Sequence, residues 1–137
     1  MRQKGVVFIC LGNSCRSIMA EALARHLWGE AVVAASAGIS PLGLIAPMTL
    51  KVLAEMGVST SGLRSKGLEE IEFSAFNLAV NLTDYSLAGL LPGAFSGRLL
   101  HRPIPDPYGG SLEDYRQTRD FLYRLTLPEL VEEGTGS

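Results

Sequence analysis

The chain has 137 residues, 47% of them hydrophobic and 19% charged, with a formal net charge of −2. That length accommodates a single domain with a real core, and the balance of apolar and charged residues excludes a disordered chain. No block of basic residues occurs, which argues against nucleic acid or an anionic membrane as partner.

The first residues, Met1 to Lys4, carry positive charge ahead of an apolar run and superficially imitate a secretory signal. The run is too short for a signal core, and nothing approaches a membrane span, so the expected location is the cytoplasm. Val6-Val7-Phe8-Ile9 reads as a buried strand ending at Cys10. Ser17 to Trp28 has helical periodicity and good helix formers, and Gly29 stops it. Ala31 to Ser36 is the second strand, running out at Ala37-Gly38, and Pro41, Gly43 and Pro47 mark a loop. Ala46 to Met56 is helical with Gly57 as its stop. Ser59 to Lys66 is polar and turn-like, and Leu68 to Ile71 forms a short helix. Phe76 to Leu82 is the third strand, and Asp84 caps a helix over Tyr85 to Leu91. Arg98 to His101 is a short fourth strand, leading into the loop Arg102 to Gly110. A closing helix runs from Leu112 to about Glu132, with Pro128 kinking or fraying it.

This alternation predicts an α/β fold: a single three-layer, flavodoxin-like domain over residues 1–137. Its four-stranded parallel sheet has order 2-1-3-4, with helices on both faces. Ligands of such sheets sit at the carboxyl ends of the strands near the switch point, where the first strand delivers Cys10.

The octapeptide Cys10-Leu11-Gly12-Asn13-Ser14-Cys15-Arg16-Ser17 is therefore a strand-to-helix loop. Its amides converge at a helix N-terminus, where unpaired N–H groups and the helix dipole both favour an anion. The same positive pole favours a reactive thiolate at Cys10. Arg16 adds a planar fork suited to two oxygens of a tetrahedral oxyanion. Gly12 permits close backbone approach, and Asn13 tolerates the left-handed conformation that a tight cradle requires. Ser17 caps the helix and can donate its hydroxyl to the Cys10 sulfur. Nucleophile, cradle and clamp together imply phosphoryl transfer through a cysteinyl-phosphate. Such a transfer needs a proton for the leaving oxygen. Asp106, its loop angles set by Pro105 and Pro107, can supply that proton and then activate water. Tyr108 lines the mouth, where its ring can stack on an aromatic phosphoester.

The run C-L-G-N-S-C-R-S-x-M-A-E-A resembles the signature of the low-molecular-weight protein tyrosine phosphatases, whose loop and fold the thioredoxin-coupled arsenate reductases share. The resemblance continues through Ser36-Ala37-Gly38 and Ser61 to Ser65 to Pro105-Asp106-Pro107-Tyr108, nearly the whole chain. It implies that Asn13 and Ser36 brace the loop by hydrogen bonds and that Asp106 stands at the general-acid position. It also implies a protein tyrosine phosphatase acting on a phosphotyrosine protein or a small aryl phosphomonoester, with phosphate or another oxyanion in the loop. Such an enzyme needs no metal or other cofactor and is a monomer or weak dimer. The chain departs from the pattern at Ile18, where phosphatases of the group carry proline, and at Gly109, where many have a second aromatic residue.

Cys10 and Cys15 are the whole thiol complement, and with His26 and His101 their spacing fits no zinc pattern. Cys15 is either a packing residue or the partner that traps oxidised Cys10 as a disulfide, making the enzyme redox-sensitive. His26 reads as a surface residue, and His101 as a packing one. Asn81-Leu82-Thr83 matches a glycosylation triplet only by chance. Two other functions remain open. An arsenate reductase would need an external thiol, because the stretch from Ala79 to Ser86 has no cysteine to relay oxidation. A non-catalytic anion-binding regulatory module is the other.

Overall fold

The structure, a computed structural model, describes residues 4–130. In chain order it comprises β1 (Lys4–Cys10), α1 (Arg16–Trp28), β2 (Val32–Gly38), α2 (Pro47–Glu55), β3 (Leu78–Asn81), β4 (Arg98–His101), α3 (Leu112–Phe121) and α4 (Leu127–Leu130). Short 3₁₀ turns lie at Gly29–Ala31, Leu68–Glu70 and Phe73–Ala75, and a π-helical stretch at Leu122–Thr126 joins α3 to α4. The four strands form one parallel sheet in the order β2-β1-β3-β4, as the sequence predicts. Register aligns Cys10 with Gly38, Ile9 with Asn81, and Asn81 with His101, so these residues gather at the carboxyl edge.

The unbroken apolar run of β1 follows from its place in the middle of the sheet, buried on both faces. Val6 and Phe8 point into a core shared with Met19 and Leu23 of α1, Val52 and Leu53 of α2, and Tyr115 of α3. Val7 and Ile9 point the other way, toward Phe73, Ala79 and Leu87. The α-helices thus pack on one face. The second face is covered by the 3₁₀ turns at Leu68–Glu70 and Phe73–Ala75 and by Leu87, Leu91 and Phe95 of the stretch after β3.

The expected helix over Tyr85–Leu91, capped by Asp84, does not form. Side chains at the end of β3 capture the backbone instead. Thr83 N donates to Asn81 Oδ1 (2.9 Å), Tyr85 N to Thr83 Oγ1 (3.0 Å), and Asn81 Nδ2 to Tyr85 O (2.6 Å). Asparagine and threonine here offer a local alternative to helical bonding, and Pro92 closes the segment soon after.

The closing helix begins with a capping box between Ser111 and Asp114. Pro128 acts upstream of itself. It cannot donate to the Arg124 carbonyl and its ring crowds that group, and the preceding turn widens so that Leu127 N donates to Leu122 O, five residues back. The expected extension to Glu132 lies outside the described residues. Among those residues, no helix is long and apolar enough to cross a membrane.

Candidate active site

β1 carries Cys10 to the carboxyl edge of the sheet, where the chain turns through residues 11–15 into α1. The carbonyls of this loop are spent on its neighbours. Ile39 N donates to Cys10 O (3.0 Å), Ser40 N to Leu11 O (2.8 Å), Leu42 N to Gly12 O (3.0 Å), and Thr49 Oγ1 to Ser14 O (2.9 Å). The amides of residues 11–15 meet no protein acceptor among the described residues. Outward carbonyls with free amides are the construction of an anion cradle.

Asn13 has a φ of 47°, the left-handed conformation expected for it. Its side chain ties three segments together. Oδ1 accepts from Lys66 N (2.8 Å), while Nδ2 donates to Ser17 Oγ (2.7 Å) and to Ser36 Oγ (3.0 Å). Ser36 in turn donates to Glu21 Oε1 (2.5 Å). Because Asn13 donates into the Ser17 oxygen, the Ser17 proton is left for Cys10 Sγ, 2.9 Å away. Ser17 is not the helix cap that the sequence implies. α1 starts one residue earlier, the cap position is Cys15 without a side-chain bond, and the Ser17 hydroxyl serves the thiol. Gly38 lets β2 press against this loop: a Cβ there would lie 2.8 Å from Leu11 O and 2.9 Å from Asn13 N.

Arg16 is 6% exposed. Its Nη1 donates to Leu82 O and Ile104 O, both at 3.1 Å, and its Nη2 lies 3.5 Å from Asp106 Oδ2. Its Nε is buried without an acceptor, alone in this among the described side-chain polar atoms. Nη1 is thus anchored to two carbonyls, and Arg16 lines the cleft with Asp106.

Asp106 and Tyr108 stand exposed on the opposite wall, with Tyr108 N donating to Asp106 Oδ1 (3.1 Å) and Gly110 N to Pro107 O (2.8 Å). Cys10, Leu11, Gly12, Ser14, Cys15, Arg16, Asp106 and Tyr108 line one cleft of about 230 Å³, with Ser40 and Leu42. Asn13, Ser17 and Ser36 lie buried behind it. Cys15 is buried with its Sγ donating to Tyr115 Oη at 3.6 Å, and burial pushes its thiol pKa up. His26 is exposed, and the exposed His101 has its Nδ1 3.1 Å from Asn81 Nδ2.

Four contributors escape sequence reasoning. Glu21, 1% exposed, is held by Arg25 and by Lys66 Nζ at 3.9 Å, and burial pushes the Lys66 pKa down. Leu42 walls the cleft, and Tyr115 meets Cys15. For Glu21 a signal exists: it follows Ser17 by one helical turn, on a helix whose first nine residues are all buried. A carboxylate there demands partners. Lys66, Leu42 and Tyr115 carry no such mark.

Residues 5–133 match the family described as low molecular weight phosphotyrosine protein phosphatase. A protein-arginine phosphatase of Bacillus subtilis (strain 168) is 33% identical over 135 residues, spanning 88% of this chain and 90% of its own. An arsenate reductase solved in its phosphate-binding state aligns with a TM-score of 0.82 and 25% identity, over 95% of this chain and 98% of that one. A Cys-to-Ser mutant of the YwlE arginine phosphatase, with its active-site serine phosphorylated, aligns at 0.80 with 27% identity, over 95% and 97%. With a match that runs through all four strands and every α-helix, the chain belongs to the low molecular weight phosphotyrosine protein phosphatase family.

Proposed function

We propose that the protein is a cysteine-dependent phosphatase that cleaves phosphomonoesters through a cysteinyl-phosphate. The observation that carries this reading is the unpartnered Arg16 Nε, buried beside Cys10 in a cleft ringed by free amides. A buried N–H without an acceptor is costly, and a phosphate oxygen bridging Nε and Nη2 would satisfy it. The Cys10 thiolate attacks phosphorus and the bond to the leaving oxygen breaks. Asp106 gives that oxygen its proton. Asp106 then takes a proton from water, which attacks phosphorus, releasing inorganic phosphate and restoring the Cys10 thiolate. Ser17 donates to the departing sulfur, Asn13 and Ser36 hold the loop, and the Tyr108 ring borders the substrate. Its substrate is a phosphotyrosine protein or a small aryl phosphomonoester. Two free cysteines suit a reducing cytoplasm, where the protein works as a monomer or weak dimer.

A second reading, arsenate reduction, draws on the arsenate reductase likeness. It gives no task to Asp106 at the cleft, and with two cysteines in the chain it requires an external thiol. Metal-free hydrolysis of p-nitrophenyl phosphate separates the two. Wild type turns it over, and Cys10→Ser falls to background while still binding phosphate. Thiol-dependent arsenate reduction without ester hydrolysis would replace the phosphatase reading. Phosphotyrosine and phosphoarginine peptides tested side by side identify the side chain. Turnover of phosphoarginine alone would give the substrate class of the Bacillus relative.

A further inference from the structure

A second and larger cleft, about 660 Å³, lies between the Asp106 loop and one face of α3. It shares Asp106 and Tyr108 with the Cys10 cleft, so the two adjoin with that wall between them. Buried Ile104 and Pro107 and exposed Tyr108 and Phe121 give it an apolar and aromatic lining. Among the described residues its charged groups are Asp106 and Asp114, and no lysine or arginine lines it.

The Cys10 cleft, at about 230 Å³, has room for a phosphorylated side chain and little more. The polypeptide bearing that side chain must cross the rim. In an extended peptide, residues two or three positions away lie about 7–10 Å from the phosphorylated one, within reach of the neighbouring groove. We infer that this groove binds the stretch of a phosphoprotein substrate beside its phosphorylated residue, selecting an apolar or aromatic side chain there and rejecting an acidic one. The selection has two sources. Phe121 and Tyr108 bury apolar surface when the groove is filled, and the Asp114 carboxylate repels a second one with no lysine or arginine among the described lining residues to offset it. The inference rests on the phosphatase reading and specifies its substrate.

The experiment compares phosphotyrosine peptides that differ only by leucine or glutamate, substituted in turn at the three positions on either side, with p-nitrophenyl phosphate as control. Wild type is expected to favour leucine at one or two of these positions by about tenfold in kcat/KM, chiefly through KM. Phe121→Ser, at a residue 46% exposed and therefore tolerant of change, should erase most of that preference and leave nitrophenyl ester turnover intact. Gln117→Arg adds a cation to the groove and should raise kcat/KM for the glutamate peptides. Equal kcat/KM for leucine and glutamate peptides throughout in wild type would overturn the groove. So would a Phe121→Ser loss shared equally by the nitrophenyl ester. Absence of all turnover, that ester included, would instead remove the phosphatase reading and the groove with it.

Discussion

From Asn13 to Ser17 every residue is buried, and side-chain hydrogen bonds run from Cys10 Sγ through Ser17, Asn13 and Ser36 to Glu21. From Pro105 to Gly110 only Pro107 is buried, and local bonds to Asp106 Oδ1 and Pro107 O shape the turn. The two loops face each other across one cleft, joined by the Arg16–Asp106 contact. The contrast separates two demands. An anion site works by preorganised dipoles that cannot relax, so its residues are locked. On the phosphatase reading, the proton donor must follow leaving groups of different size, and the Asp106 loop stands in solvent, pinned at its root by the bond between Ile104 O and Arg16.

If the rigid loop does the electrostatic work, damage there should be indifferent to the leaving group. Arg16→Lys replaces a fork by a point charge and should cost about 10²–10³-fold in kcat for every ester. Asp106→Asn should instead discriminate, slowing alkyl phosphates or phosphotyrosine by about 10²–10⁴-fold and an activated nitrophenyl ester far less. Kinetics on a series of leaving groups reads both at once. Equal slowing across the series by Asp106→Asn would reduce Asp106 to a turn residue.

The anchoring of the rigid loop is tested at its far end. Glu21→Gln leaves the half-buried Lys66 and the Arg25 guanidinium without their anion, and should lower stability by about 3 kcal/mol in urea unfolding. An unchanged midpoint would mean that the loop holds itself without Glu21. A gentler break concerns Cys15. Cys15→Ser should keep its turnover yet recover poorly with dithiothreitol after mild peroxide, because oxidised Cys10 then advances to sulfinic acid. Recovery equal to wild type would make Cys15 a packing residue only.

The smallest effect lies away from both loops. Arg116 and Arg119 of α3 hold the Glu55 carboxyl of α2 well below its usual range, to about 2. A lowered folded-state value contributes stability that is present above the unfolded value of 4.5 and is lost as pH falls toward 2. Glu55→Gln should therefore melt slightly below wild type at neutral pH, with the gap closing between about pH 4.5 and 2. A gap that persists undiminished to pH 2 would show that the clasp between α2 and α3 does not depend on that charge.

The strands, their order and the Cys10–Ser17 loop were legible because their signals are local. A strand buried on both faces must be apolar throughout, and a thiol, small residues and an arginine before a helix leave few other readings. The missing helix after β3 was not legible, since Tyr85 to Leu91 has helical spacing and the competition comes from Asn81 and Thr83. Ser17 was misread in part for a similar reason. A serine at a helix start is ordinarily a cap, and only the Asn13 bond redirects its proton to sulfur.

By itself, the sequence determined that the loop, the Cys10 thiol and Arg16 share one cleft, because they are contiguous and the strand-to-helix turn compels them to converge. Only the tertiary structure decided how Arg16 is aimed, since the carbonyls that fix it belong to Leu82 and Ile104, 66 and 88 residues away. The buried anchor at Glu21 and Lys66 and the groove beside Asp106 belong to the same class. Each depends on directional contacts between segments brought together by the sheet, and such contacts leave no periodic trace in the chain.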